Sequence, residues 1–218
     1  MHKLDAWFEK RVRRPKVMIG LASSGIAIFL FWAISYISRL LHGQYNPLTQ
    51  TISRLEIGPG STVEKAALFM VGLFIIAFTI CLYAYVRPPK NKAFLVGILL
   101  FLIIGAATET IAFVPPAKEG LSRMAHFFLS GVIFSFFPIA CFLQVPQYRK
   151  ENWHGVFVYT LVAGSLGICF LIGYILSPKE ITGLTERLVL LNGMLWYGRM
   201  GTYIIYHVLT RGFKIKAD

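Results

Sequence analysis

The chain is 218 residues long, 56% hydrophobic and only 15% charged, with a net charge of +12. So apolar a composition, with a mean hydropathy of +0.63, excludes an ordinary soluble globule and points to a membrane protein. The basic excess does not imply nucleic acid, because Lys and Arg flank hydrophobic runs instead of forming an aromatic-laced patch.

A basic segment opens the chain, with Lys3, Lys10, Arg11, Arg13, Arg14 and Lys16. The run that follows, Val17–Leu41, is too long for the apolar core of a signal peptide. It ends in Arg39-Leu40-Leu41-His42 without a small-residue cleavage site, so it reads as a retained helix. Five more runs follow: Lys65–Val86, Ala93–Val114, Met124–Val145, Val156–Leu176 and Leu188–Leu209. Each supplies the roughly twenty residues that one crossing needs. The expectation is an all-α fold: one polytopic bundle of six transmembrane helices, without a separate soluble domain.

The connections carry their own signals. In 42–64, Asn46 can cap a helix and Pro47 suits its first position. Leu48, Ile52 and Leu55 then recur at helical spacing, opposite Thr49, Gln50, Ser53 and Arg54, which predicts a short amphipathic helix in the interface. Gly58-Pro59-Gly60 ends it, and Ser61-x-x-Glu64 has the form of a capping box for the second crossing. Arg87–Lys92 reads as a proline-stiffened turn. Trp153, in the fourth connection, suits an interfacial anchor. Before the last run, Thr182 and Thr185 can cap, with Glu186 in the first turn, where a carboxylate suits the positive helix end.

Of the 22 Lys and Arg, 14 fall in the N-terminal segment, the second and fourth connections and the tail, against six on the other side. The positive-inside rule then puts both termini in the cytoplasm, with the cell (plasma) membrane as the expected location. Cys81, Cys141 and Cys169 lie inside hydrophobic runs without a CxxC pair, which fits buried free thiols.

Ionisable residues inside such runs are costly, by roughly 2.5–3.5 kcal/mol at a helix centre. Glu109 stands roughly 7–8 Å below the outer end of its run at helical rise. Arg123 and His126 open the fourth crossing, with Ser130 below them, and Glu186 and Arg187 open the sixth. Together with Arg54 and Glu56 in the outer segment they occupy one depth, which suits either interhelical ties or a polar pocket. On the sixth helix Asn192, Trp196, Arg199, Tyr203 and Tyr206 fall on one face. Arg199 lies near the middle of its run and is expected to face the bundle, within reach of Glu109 through one water. Ser24, Ser35, Ser38 and His42 form a second polar face on the first helix, and Ser165, Cys169 and Gly173 a close-packing face on the fifth.

Other chemistries find no support. His126 and His207 lie at opposite ends, so a bis-histidine haem has no ligand pair. No HExxH, Walker loop or GxSxG occurs. No cofactor and no metal are expected.

Three stretches resemble a known family: Tyr45-Asn46-Pro47-Leu48-Thr49-Gln50-Thr51-Ile52-Ser53, Arg123-x-x-His126, and Gly183-Leu184-Thr185-Glu186-Arg187-Leu188. They look like the prokaryotic six-helix membrane family known as domain of unknown function 998. That family is similar in layout to the Frag/DRAM/Sfk membrane proteins, some of which are linked to lipid remodelling or asymmetry. The resemblance implies a six-helix membrane fold and directs attention to Asn46, Pro47, Ser53, His126, Glu186 and Arg187. It carries no settled activity. Here Ala117-Lys118-Glu119 follows Pro115-Pro116, so the acid that often follows the family's proline is displaced.

Three functional readings stay open. In the first, an outer-side pocket binds an amphiphile, a membrane lipid for instance, with Asn46, Ser53, Arg54, Arg123, Arg187 and Arg199 as ligand-binding residues. The second is a lipid hydrolase or acyl-transfer enzyme with His126 as base, oriented by Glu109 or Glu186. The third is an accessory subunit of a membrane complex, or a homo-oligomer, joined through a polar seam.

Overall fold

The structure is a computed structural model that describes residues 11–86, 91–114, 116, 117, 119–151 and 153–211. The basic residues before 11, the proline turn at 87–90, Pro115, Lys118 and the tail from 212 lie outside the described residues. Among the described residues there are seven α-helices and no strand: α1 (Pro15–Ala27), α2 (Leu30–His42), α3 (Ser61–Val86), α4 (Lys92–Ile111), α5 (Gly120–Lys150), α6 (His154–Ile175) and α7 (Thr182–Arg211). A 3-10 turn, Ile52–Glu56, sits between α2 and α3.

α1 and α2 run on from each other as Pro15–His42, so the seven helices make a bundle of six. This stretch and α3, α4, α5 and α6 are long and apolar enough to cross a membrane. α7 is 30 residues long but less apolar, because Asn192, Arg199 and several tyrosines interrupt it. Consecutive helices from α3 to α7 pack side by side, and α1 closes the ring by packing on both α7 and α3. Glycine sets the closest approaches, as expected where lipid gives helices no hydrophobic drive to associate. A β-carbon at Gly25 would lie 2.6 Å from the Tyr197 carbonyl, and one at Gly201 would lie 2.5 Å from that of Ala22. Between α3 and α4, a β-carbon at Gly72 would lie 2.7 Å from the Gly105 carbonyl.

The middle of the bundle is aromatic. Phe101 stacks on Trp196 at 4.9 Å, and Phe78, Phe137 and Tyr197 surround the pair edge-on or tilted. Trp196 Nε1 donates to Thr160 Oγ1 at 3.0 Å, and Asn192 Nδ2 donates to the Ala163 carbonyl at 2.9 Å. α6 meets its neighbours through Ala163, Gly164 and Gly167. The face expected for close packing points elsewhere: Ser165 and Cys169 are exposed, and nothing approaches Gly173. Small residues occur on both faces of this helix, so residue size alone does not choose between them. Cys81 and Cys141 are buried as expected, whereas Cys169 is not.

The break at Ile28-Phe29 positions everything that follows. The helical ladder tightens there to i+3 bonds, with Phe29 N–H on Ile26, Phe31 N–H on Ile28 and Trp32 N–H on Phe29. A stretch of 3-10 geometry within a helix redirects its axis. α1 therefore packs against α7, while α2 packs against α3 and the 3-10 turn and parts from α7. The segment 44–56 fills the space between α2 and α7.

That segment is not the amphipathic helix expected from its periodicity. Asn46 Oδ1 accepts from Leu48 N–H at 3.0 Å and Gln50 N–H reaches the Asn46 carbonyl, which closes a single turn. Only Ile52–Glu56 continues, as 3-10 helix. Ile52 and Leu55 are buried as the pattern predicts, but Leu48 is 52% exposed. The capping box is absent too. Glu64 N–H bonds to the Gly60 carbonyl, and the Glu64 carboxyl turns inward to accept from Ser35 Oγ on α2 at 2.8 Å. Ser38 Oγ donates to the Gly60 carbonyl, so the serine face of the first crossing meets α3 and its entry.

Candidate functional site

Beneath the 3-10 turn lies a cavity of about 110 Å³. Aliphatic side chains form most of its wall: Ile28, Leu68, Val71, Ile75, Ile104, Ile111, Ile133, Val189 and Leu190. Phe137 and Tyr197 of the central aromatic group also line it. Its polar lining consists of Ser53 and Glu56 from the 3-10 turn, Thr108 from α4, His126 and Ser130 from α5, and Glu186 and the Tyr197 hydroxyl from α7. α6 contributes none of the lining.

Each polar group is held by local chemistry. Glu186 is 5% exposed, and its Oε2 accepts from Ile52 N–H at 2.5 Å, so the carboxylate caps the first residue of the 3-10 turn. The His126 ring lies with Nδ1 2.7 Å from the Val114 carbonyl. A carbonyl only accepts, so Nδ1 carries the proton, and in the neutral ring Nε2 is left as an acceptor. Thr108 Oγ1 donates to the Ile104 carbonyl at 2.8 Å. Ser53 Oγ lies 3.0 Å from Thr51 Oγ1. Glu56 is 3% exposed, and its Oε2 is buried with no partner among the described residues. Burial, and then the nearby carboxyls of Glu64 and Glu186, push the Glu56 carboxyl up to about 9, so it is protonated at neutral pH. Glu64 stands behind Glu56, fully buried, with one oxygen on Ser35 and Oε2 without a hydrogen-bond partner among the described residues.

Arg187 fastens the lid of this cavity. Its Nη1 donates to the carbonyls of Pro47 at 2.8 Å, Gln50 at 3.1 Å and Gly183 at 2.7 Å, and Nη2 donates to the Tyr45 hydroxyl. The guanidinium also sits over the Tyr45 ring, 5.4 Å from its centroid. Tyr45 Oη lies 2.9 Å from both the Gln50 and Thr51 carbonyls, and Leu184 N–H donates to the Leu48 carbonyl. A β-carbon at Gly183 would meet the Gln50 carbonyl oxygen and lie 2.6 Å from that of Pro47. Glycine is thus required where the connection crosses α7.

The residues expected at one depth therefore divide. Ser53, His126 and Glu186 line the cavity. Asn46 and Arg187 hold the segment above it. Arg54 and Arg123 are exposed, Arg123 lying over the Phe127 ring at 5.4 Å. Glu109 is outside the lining. It faces α3, where a β-carbon at Gly72 would meet its Cγ, and its Oε1 is buried without a partner among the described residues. One residue along a helix turns the side chain by about 100°, which is why Thr108 and not Glu109 reaches the cavity. Arg199 departs furthest from expectation. It does not face the bundle or approach Glu109. It is exposed in a second recess, near the opposite end, with Glu151, Trp153, His154, Tyr159, Tyr203 and His207. The residue pattern puts Glu56 with Arg54 at this depth without making it a site residue, and it makes Glu64 a helix cap. The buried Leu55 beside Glu56 was the available signal, since the 3-10 turn brings both inward.

Fold and hydropathy together define an integral membrane protein, a helical bundle with a small cavity near one end. A profile of the family described as "Protein of unknown function (DUF998)" matches residues 26–203, and the chain belongs to that family. No curated protein and no solved structure matches it.

Proposed function

We propose that the cavity under the 3-10 turn binds the slim apolar part of a membrane amphiphile and that its polar lining receives the amphiphile's polar end. The carrying observation is the division of the lining: aliphatic and aromatic walls with Ser53, Glu56, His126 and Glu186 gathered toward the connection 44–56. Ligand pockets have this composition, mostly apolar with a few convergent polar groups. A cavity of about 110 Å³ is smaller than the 150 Å³ or so that admits benzene in an engineered core. It suits one alkyl segment and not a whole lipid. Arg54 and Arg123 are exposed, and Arg187 is occupied by carbonyls and Tyr45, so head-group recognition rests on the lining and not on these arginines. The charge bias supports cytoplasmic placement of both termini, and the cell membrane is the location we propose.

The enzyme reading draws less support from the geometry. Nδ1 of His126 is oriented by a backbone carbonyl, not by a carboxylate, and Glu109 does not share its cavity.

Gly193 lines the cavity, and a β-carbon there makes only ordinary contact with Phe137, 3.7 Å away. Gly193→Leu should therefore fill the space without disturbing the bundle. The test is native mass spectrometry of protein extracted with its lipids, comparing wild type with Gly193→Leu. An apolar adduct retained by the wild type and lost in the variant supports the proposal. Identical adduct spectra from two equally folded proteins sink it.

A further inference from the structure

The cavity's hydroxyls, on Ser53, Ser130 and Tyr197, can donate or accept, but its charged inventory is one-sided. Glu56 and Glu186 offer carboxyl oxygens. Thr108 has spent its proton on Ile104 and keeps only acceptor capacity. His126 has spent its Nδ1 proton on Val114, which leaves Nε2 as an acceptor. Behind them, Glu64 adds a third buried carboxyl, held by Ser35 through Oε1. The nearby cations do not balance these acids. Arg187 is committed to three carbonyls and the Tyr45 hydroxyl, and Lys65, which acts on Glu56 through its charge, does not line the cavity. A phosphate or carboxylate entering here would meet carboxyls and no charged donor. A hydroxyl offers one proton to this set of acceptors, and an ammonium offers three.

We infer that the occupant's polar end is a protonated amine, a primary alkylammonium paired with the buried carboxyl of Glu56, whose Oε2 has no partner among the described residues. This inference rests on the proposed amphiphile binding and specifies its ligand class. No covalent bond changes: the ammonium enters, Glu56 releases its carboxyl proton to water, and an ammonium–carboxylate pair remains. The charges that act on Glu56 are those of Glu64 and Lys65 on α3 and Glu186 on α7, and His126 of α5 and Tyr197 of α7 share its cavity. With Glu56 protonated up to about pH 9 in the empty cavity, amine affinity should rise with pH below that value, because binding expels a proton.

The experiment titrates the full chain in detergent with 1-hexylamine, 1-hexanol and hexanoate at pH 6, 7 and 8. Gly193→Leu gives the baseline for partition into micelles. The expected result is hexylamine binding at least tenfold tighter than hexanol, no specific hexanoate binding, and an affinity that rises with pH for the amine alone. Glu56→Gln should bring hexylamine to the level of hexanol measured on the same variant. Hexanol binding as tightly as hexylamine, with no pH dependence for either, overturns the amine assignment and leaves the amphiphile reading standing. Binding of none of the three above the filled-cavity baseline overturns both. The wild-type pH series decides the matter even where Glu56→Gln fails to accumulate.

Discussion

The two ends of the bundle handle charge in opposite ways. At the end closed by the connection 44–56, three carboxyls and one arginine are buried or half-buried, and backbone groups hold two of them: Ile52 N–H on Glu186, and three carbonyls on Arg187. Near the other end Arg199 is exposed in a recess of about 390 Å³ beside Glu151, His154 and His207. An arginine with a long stem can reach the interface from within a helix, so its charge need not be matched by the fold. A short, buried carboxyl has no such reach and must be neutralised by a proton, a hydrogen bond or a ligand. Charge near the first end is therefore part of the architecture, whereas charge in the recess is optional.

Three substitutions test that contrast, in decreasing order of effect. Gly183→Ala puts a methyl group against the Pro47 and Gln50 carbonyls. It should detach the 44–56 segment at a cost of roughly 3 kcal/mol, seen as a lowered melting temperature in detergent and new proteolysis within 44–56. An unchanged melting curve would mean that this connection is not locked to α7.

Glu56→Gln should act through pH. The Glu56 carboxyl stands at about 9 in the fold against an ordinary 4.5, so the folded state holds a proton that the unfolded chain releases above about pH 4.5. Wild-type stability should then fall as pH rises from about 4.5 toward 9, because the unfolded state binds fewer protons over that window. The variant lacks this dependence. It should fall short of the wild type near pH 4.5 by the cost of a buried amide and exceed it by about 2 kcal/mol at pH 8. Parallel stability–pH curves for the two proteins would show that Glu56 is solvated.

Arg199→Leu should change stability by less than about 0.5 kcal/mol, the usual range for an exposed position. A loss of several kcal/mol in the same thermal assay would show that the recess is as structural as the cavity end.

Much of the frame could be read from residue order. Runs of apolar residues with short breaks leave a bilayer-spanning bundle as their only economical fold, because backbone groups in lipid must bond within their own helix. Depth was legible as well, through 1.5 Å of rise per residue: His126, Glu186 and Arg187 do meet near one end. Direction around each helix was not legible. A soluble helix marks its inner face with a hydrophobic stripe, but a helix between lipid and core is apolar on both faces. Hence Thr108 could not be told from Glu109, the Ala163–Gly164–Gly167 face of α6 from Ser165–Cys169–Gly173, or an inward Arg199 from an outward one.

What the sequence determined alone is the class of protein and the level at which its polar residues lie. Tertiary structure decided which of them share a space. The break at Ile28-Phe29 parts α2 from α7, the connection 44–56 fills the gap as a 3-10 turn, and Glu56 is carried in over the cavity while Glu109 faces Gly72. Those outcomes depend on contacts between segments 22 to 140 residues apart, and a local pattern does not encode them.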